Sequence, residues 1–169
     1  MSRRSGISLL ELVIAGSLLA TVMASLSLVM RTSRQSWETI DTEYWRLHRM
    51  QAVSRHVIRQ AREATSVATI SPAGTLLTIE SPSGTASWEW RSTYGDDANV
   101  VLYRAPTGAE SVLARDIDSL QFVGYGADGF TAESDASRVH VVQVRVAVTL
   151  PRAVATQRSI TSKVWLRAW

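Results

Sequence analysis

The sequence predicts an α+β protein in which a long N-terminal helix, transmembrane first and amphipathic after, packs on an antiparallel β-sheet domain. Three observations lead there. Residues 7–30 form an apolar run with one charge, Glu11. Residues 31–64 contain neither proline nor glycine and carry an apolar stripe at helical spacing. After Thr65 the chain changes to short alternating segments punctuated by Pro-x-Gly turns. At 169 residues, 46% hydrophobic and 20% charged, the chain has enough apolar material for a core, and wholesale disorder is excluded. It has no cysteine, which rules out a disulfide scaffold, a thiolate metal site and a thiol nucleophile together.

The first element is residues 7–30. Twenty-four residues make a helix of about 36 Å, enough for a hydrocarbon core of about 30 Å. The leader before it, residues 1–6, is short and basic, with Arg3 and Arg4. Three readings compete. A secretory signal would be cut after Ala24, where Val22-Met23-Ala24 has small residues at suitable spacing, but Glu11 then lies inside its apolar region. A plain signal anchor leaves Glu11 unexplained unless the side chain snorkels to the interface. The third reading uses the acid. A carboxylate within the membrane costs a few kcal/mol and marks a functional position. A cut between Gly6 and Ile7 would place a new ammonium about 6 Å along the helix from Glu11, where the amine of one subunit can meet the carboxylate of another.

The segment Ser5-Gly6-Ile7-Ser8-Leu9-Leu10-Glu11-Leu12-Val13-Ile14 resembles the cleavage and methylation motif of type IV prepilins and type II secretion pseudopilins. The resemblance implies a pilin-like fold, cleavage after Gly6 by a prepilin peptidase, N-methylation of Ile7, and a guiding role in assembly for Glu11, fifth in the mature chain. Ile7 stands where the family usually has phenylalanine. The resemblance also implies a single-pass protein of the bacterial inner membrane with its C-terminal domain in the periplasm. Arg3 and Arg4 favour a cytoplasmic leader, whereas Arg31, Arg34, Arg46 and Arg49 argue the other way. Long domains translocate largely regardless of such charges, so the family topology is taken.

The second element is residues 31–66, an amphipathic continuation of the helix. Ile40, Tyr44, Leu47, Met50, Val57, Ala61 and Ala64 recur at steps of three, four or seven, and Arg34, Glu38, Asp41, Arg49, Arg55, Arg59 and Arg62 occupy the opposite face. Trp37 and Trp45 lie near the exit from the bilayer and fit either an interfacial belt or packing against the domain.

Residues 67–169 then read as an antiparallel β domain. Its turns are Pro72-Ala-Gly74, Pro82-Ser-Gly84 and Pro106-Thr-Gly108. Strands are expected at 75–80, 86–91, 99–104, 117–123, 139–150 and 158–167, arranged as one meander with the amphipathic helix on one face. The longest alternates Val142, Val144, Val146, Val148 and Leu150 against Gln143, Arg145, Ala147 and Thr149, and Pro151 ends it. The order Val-Val-Leu-Tyr-Arg104, then 112–123, then a glycine- and acid-rich loop and a long strand is similar to the J-type minor pseudopilin of type II secretion, with related minor pilins next. That resemblance implies a structural tip or near-tip subunit of a pseudopilus. Its partners would be other minor and major pilin-like subunits, the peptidase and an inner-membrane assembly platform. A minor pilin of a type IV pilus or a DNA-uptake filament is the alternative.

No catalytic constellation is present. Gly124-x-Gly126-x-x-Gly129 matches a dinucleotide fingerprint, but no helix follows the last glycine, so a hairpin loop is expected. Asp128, Glu133 and Asp135 in that loop are oxygen ligands without the spacing of an EF-hand, and a solvated acidic loop is the better reading. His48, His56 and His140 lack ligand spacing, and Gly-x-Ser-x-Gly is missing. Neither enzyme activity, cofactor nor metal is expected. Trp88 and Trp90 share one face of one strand, as a docking patch or as core. Charge is uneven: residues 80–135 carry a net −7, while 136–169 hold six bases and no acid. Seventeen of the eighteen basic residues are arginine; a nucleic-acid binder would usually concentrate base on one element with aromatics interleaved, whereas opposite charge patches more often read as a subunit that docks on neighbours. No nucleic-acid partner is expected.

Overall fold

Leucine, alanine, methionine, arginine and glutamate recur through residues 9–63, and no proline interrupts them, so a single helix forms, α1 (Leu9–Glu63). The computed structural model describes residues 8–151 and 156–167. The chain divides into two compact units, separated between Asp41 and Thr42.

In the first unit α1 packs on nothing: every residue from Leu9 to Asp41 is exposed. Its surface contacts are local, such as the Arg34–Glu38 ion pair at 3.0 Å one turn apart.

In the second unit α1 supplies Met50, Val53, Val57 and Ala61 to the core. The expected stripe is displaced. Ile40 and Tyr44 are exposed and Leu47 is only partly buried, whereas Val53 and Ser54 are buried. Helical periodicity fixes which residues share a face; it does not say how far along the helix the sheet reaches. The helix also stops before residue 66. Ala64 N–H tightens onto Ala61 O (3.2 Å), and Thr65 N–H donates to Glu80 O at 2.8 Å, so the β-branched segment after Glu63 leaves the helix to join a sheet.

Among the described residues eight strands follow: β1 (Ser66–Ile70), β2 (Leu76–Ser81), β3 (Gly84–Tyr94), β4 (Asp97–Arg104), β5 (Glu110–Ala114), β6 (Ser119–Tyr125), β7 (Val141–Leu150) and β8 (Thr156–Trp165). All pairings are antiparallel. The single meander is corrected: there are two sheets, β1-β2-β3-β4-β5 and β6-β7-β8. The crossing lies at residues 115–118. Asp116 adopts a left-handed φ of 60°, Ile117 N–H donates to Asn99 O of the first sheet and Asp118 N–H donates to Ala147 O of the second, both at 3.0 Å. One residue thus belongs to each sheet, and Ile117 is buried between them.

All three Pro-x-Gly turns are present, with Gly74, Gly84 and Gly108 at positive φ. At Gly74 the requirement is double. Its φ is 69°, and a Cβ there would lie 2.8 Å from the Phe122 carbonyl oxygen. The close approach lets Phe122 N–H donate to Gly74 O (2.7 Å), which stitches the β1–β2 turn to β6 of the other sheet.

The core lies between the helix and the inner faces of both sheets. Val142, Val144, Val146, Val148 and Leu150 of β7 point into it, as do Leu77, Ile79, Ala86, Trp88 and Val101 of the first sheet. Two arginines tie α1 to loops and strand ends: Arg46 donates to Thr149 O, and Arg49 pairs with Asp116.

Candidate membrane-spanning and assembly segment

The first turn of α1 is organised by Ser8 and Glu11. The Ser8 N–H donates to Glu11 Oε2 (2.9 Å), and the Glu11 N–H donates to Ser8 Oγ (3.2 Å). This reciprocal pair is a capping box, which satisfies two of the amide donors that a helix start leaves open. The negative carboxylate also sits at the positive end of the helix dipole. The pattern Ser8-x-x-Glu11 before an apolar run is visible in the sequence, yet the expectation assigned Glu11 wholly to contacts between subunits. The structure gives it a local partner first. Among the described residues, Oε1 has none.

From Leu9 to Met30 the helix is exposed along its whole circumference. Leu9 is 82% exposed and Ile14, the most covered of its large apolar side chains, still 49%. This is the one helix among the described residues long and apolar enough to cross a membrane, and none of its apolar window is buried within the chain. Its apolar surface is compatible with a single membrane crossing.

The polar residues in this run suit such a crossing. Ser17 Oγ donates to Ile14 O (2.8 Å), Thr21 Oγ1 to Ser17 O (2.9 Å), Ser25 Oγ to Thr21 O (2.9 Å) and Ser27 Oγ to Met23 O (2.9 Å). Each of these hydroxyl donors is satisfied by its own helix, which leaves no unpaired side-chain hydroxyl donor on this surface. Glu11 is the sole ionisable side chain from Ser8 to Met30. Arg31 and Arg34 follow at the far end, and Trp37 is 71% exposed. Gly6 and Ile7, the expected cleavage and methylation positions, lie outside the described residues.

His56, Trp88 and Trp90 have structural work. Trp88 is fully buried and donates its indole N–H to His56 Nδ1 (3.1 Å). Tyr103 completes the cluster, 4.7 Å from the His56 ring and 5.4 Å from that of Trp88. Trp90 donates to Ile117 O (2.6 Å). Trp88 is thus core, and Trp90, partly buried, packs against that core, so the pair reads as packing rather than as a docking patch. Burial holds the half-buried His56 below the ordinary histidine pKa, and the Arg59 charge adds to the effect. With Nδ1 accepting, the proton of the neutral ring is on Nε2.

The segment after Tyr125 connects β6 to β7 as a hairpin loop, as expected, and no helix opens at Gly129. Its acids close local turns. Asp128 accepts from the Thr131 hydroxyl and from the N–H groups of Phe130 and Thr131, which pulls its pKa down to about 2. Asp135 accepts from the Ser137 hydroxyl and N–H, capping a one-turn helix (Ala136–Arg138), and its pKa is lowered for that reason. Among the described residues no three His, Cys, Asp or Glu side chains converge as metal ligands. Comparison with family models, with curated proteins and with solved structures returns no match.

Proposed function

We propose that this chain is a membrane-anchored filament subunit, a minor pseudopilin that occupies the tip or near-tip of a type II secretion pseudopilus. The observation that carries the reading is the N-terminal segment. An apolar helical segment, none of it buried within the chain, starts one residue after Ser8, holds a single acid in its first turn, and follows a short basic leader that ends at Gly6, ahead of Ile7. A helix continuing into a sheet-packed second half is the architecture such a subunit requires.

The mechanism is assembly rather than catalysis. In the bilayer the exposed face of residues 9–30 is solvated by lipid tails. On entry into the filament, neighbouring apolar helices replace those tails. Glu11 contributes twice. Oε2 accepts the Ser8 N–H and holds the helix start, while Oε1 remains for the amine of Ile7 on an adjacent subunit. Pairing offsets the cost of keeping either charge alone in a low-dielectric medium. The globular unit then sets which neighbours fit. The peptidase and an inner-membrane platform would act before assembly, with the β domain on the periplasmic side.

Mass spectrometry of the mature N-terminus tests the processing step. A chain starting with N-methylated Ile7 is expected; retention of residues 1–6, or trimming after Ala24, refutes it. Glu11→Gln and Glu11→Val separate the two roles of the acid. Glutamine at this position keeps the capping box and removes the charge, whereas valine removes both. Both variants are expected to be cleaved normally and to co-assemble poorly. Normal assembly of Glu11→Gln would mean that the cap, not the charge, is what matters.

A further inference from the structure

The outer edge of β8 has an unpaired backbone. The strand runs ten residues without a bulge, each in register with β7 from Val141↔Trp165 to Leu150↔Thr156. The three-stranded order leaves its other side without a strand. Which groups face that side follows from the residues just beyond it. Leu166 N–H donates to His140 O on the β7 side, and Arg167 N–H donates to Ala64 O on the other, both at 3.0 Å. Backbone groups alternate along a strand. The N–H and C=O of Gln157, Ser159, Thr161, Lys163 and Trp165 therefore point to the open edge. Ala64 already uses the end of this edge as a hydrogen-bonding rail.

Two features say what fits there. Charge on the sheet itself has one sign: the charged side chains of β6, β7 and β8 are Arg145, Arg158 and Lys163. Arg145 stands beside Thr161 on the outer face. Exposed aromatics then gather at one end. Trp165 is 59% and Phe130 84% exposed, and the Trp165 ring lies 3.2 Å from where a Cβ on Gly129 would be. The loop that presents Phe130 is braced by the Asp128 turn and by Lys163, which donates to Gly129 O (3.1 Å) and lies 3.9 Å above the Tyr125 ring. The loop thus presents an exposed aromatic surface beside the open edge.

We propose that the β8 edge is a docking strand for an acidic extended segment of another polypeptide, which adds antiparallel to the β6-β7-β8 sheet. Its backbone pairs with residues 157–165, its carboxylates meet Arg145 and Lys163 on the outer face, and an apolar side chain rests on Trp165 and Phe130. A second copy of β8 is a poor occupant because it brings a second set of cations to the same edge. This inference stands on the globular unit and holds whatever the apolar helix does.

The test uses the full chain in detergent micelles and a fluorescein-labelled peptide of alternating glutamate and valine, about ten residues long with one phenylalanine near an end, the length of β8. Two controls replace every glutamate by lysine or N-methylate alternate peptide nitrogens. Anisotropy should show binding of the glutamate peptide alone, with hydrogen-exchange protection across 156–165. Thr161→Pro removes one outward donor and no β7 bond, and should weaken binding about tenfold or more, as should Arg145→Glu and Phe130→Ser. Failure of the glutamate peptide to bind overturns the proposal. So does equal binding of the N-methylated peptide, or unchanged binding by Thr161→Pro, since either reduces the contact to charge attraction without strand pairing.

Discussion

Trp88→Phe is expected to loosen the seam between α1 and the first sheet by about 2 kcal/mol. The indole is fully buried, with its N–H on His56 and its ring against Tyr103. Phenylalanine keeps most of the apolar contact. It deletes one buried hydrogen bond, worth about 1 kcal/mol, and leaves His56 Nδ1 without its donor. It also leaves a void where the second ring was, adding about 1 kcal/mol on the scale by which full truncation of a buried tryptophan costs about 3–5 kcal/mol. Against a typical domain stability of about 5–15 kcal/mol this is readily measured. The assay is urea unfolding of the detergent-solubilised chain followed by near-ultraviolet circular dichroism, where an m-value of about 2 kcal/mol/M turns the loss into a midpoint shift of about 1 M. His56→Ala and the double variant complete a cycle, and a coupling of at least about 0.5 kcal/mol is expected. A loss below about 0.5 kcal/mol for Trp88→Phe, or additive single effects, would refute the assignment of this pair as the helix–sheet fastening.

Acid should weaken the same seam. The folded-state pKa of His56 lies below its unfolded value near 6.5, so the neutral ring's contribution is complete above that value and is lost as pH falls through it toward the folded pKa. His56→Gln, whose amide oxygen can still accept from Trp88, should flatten this part of the stability–pH curve in denaturant melts at pH 5 and pH 7.5; an unchanged slope would point to other groups. Gly74→Ala should cost about 1–3 kcal/mol because it forces a left-handed φ on alanine and pushes its Cβ into the Phe122 carbonyl, and a thermal melt no lower than wild type would contradict that geometry. Ser8→Ala should lower the helix-start stability by about 1 kcal/mol, read as faster amide exchange over residues 9–12, whereas Glu11→Gln should leave that exchange nearly unchanged. Residues 42–169 expressed alone should give a folded, dispersed amide spectrum; a collapsed one would show that the apolar segment is needed for the domain to fold.

Much of this protein was legible because it is governed by neighbours in the chain. The apolar run at 7–30, the missing helix breakers to residue 64, the Pro-x-Gly turns and the alternation in β7 each depend on side-chain type and spacing within one element. The capping box belongs to the same class and was readable from Ser8-x-x-Glu11, but the competing idea of an intersubunit ion pair took the carboxylate. The two strands not expected, β1 and β5, are five residues each and only partly buried, so they carry little alternation of their own and exist by pairing with β2 and β4.

Sequence by itself determined the fold class, the apolar helical segment at 9–30 and the single charge within it, since length, hydropathy and capping chemistry act over a few residues. Only tertiary structure decided that the strands split into two sheets at Asp116–Asp118, that the buried stripe of α1 begins near Met50 rather than Ile40, and that Trp88 lies under His56. Those outcomes depend on contacts between residues tens of positions apart. Periodicity tells which side of a strand or helix is apolar, but only the packing of the assembled elements settles what covers it.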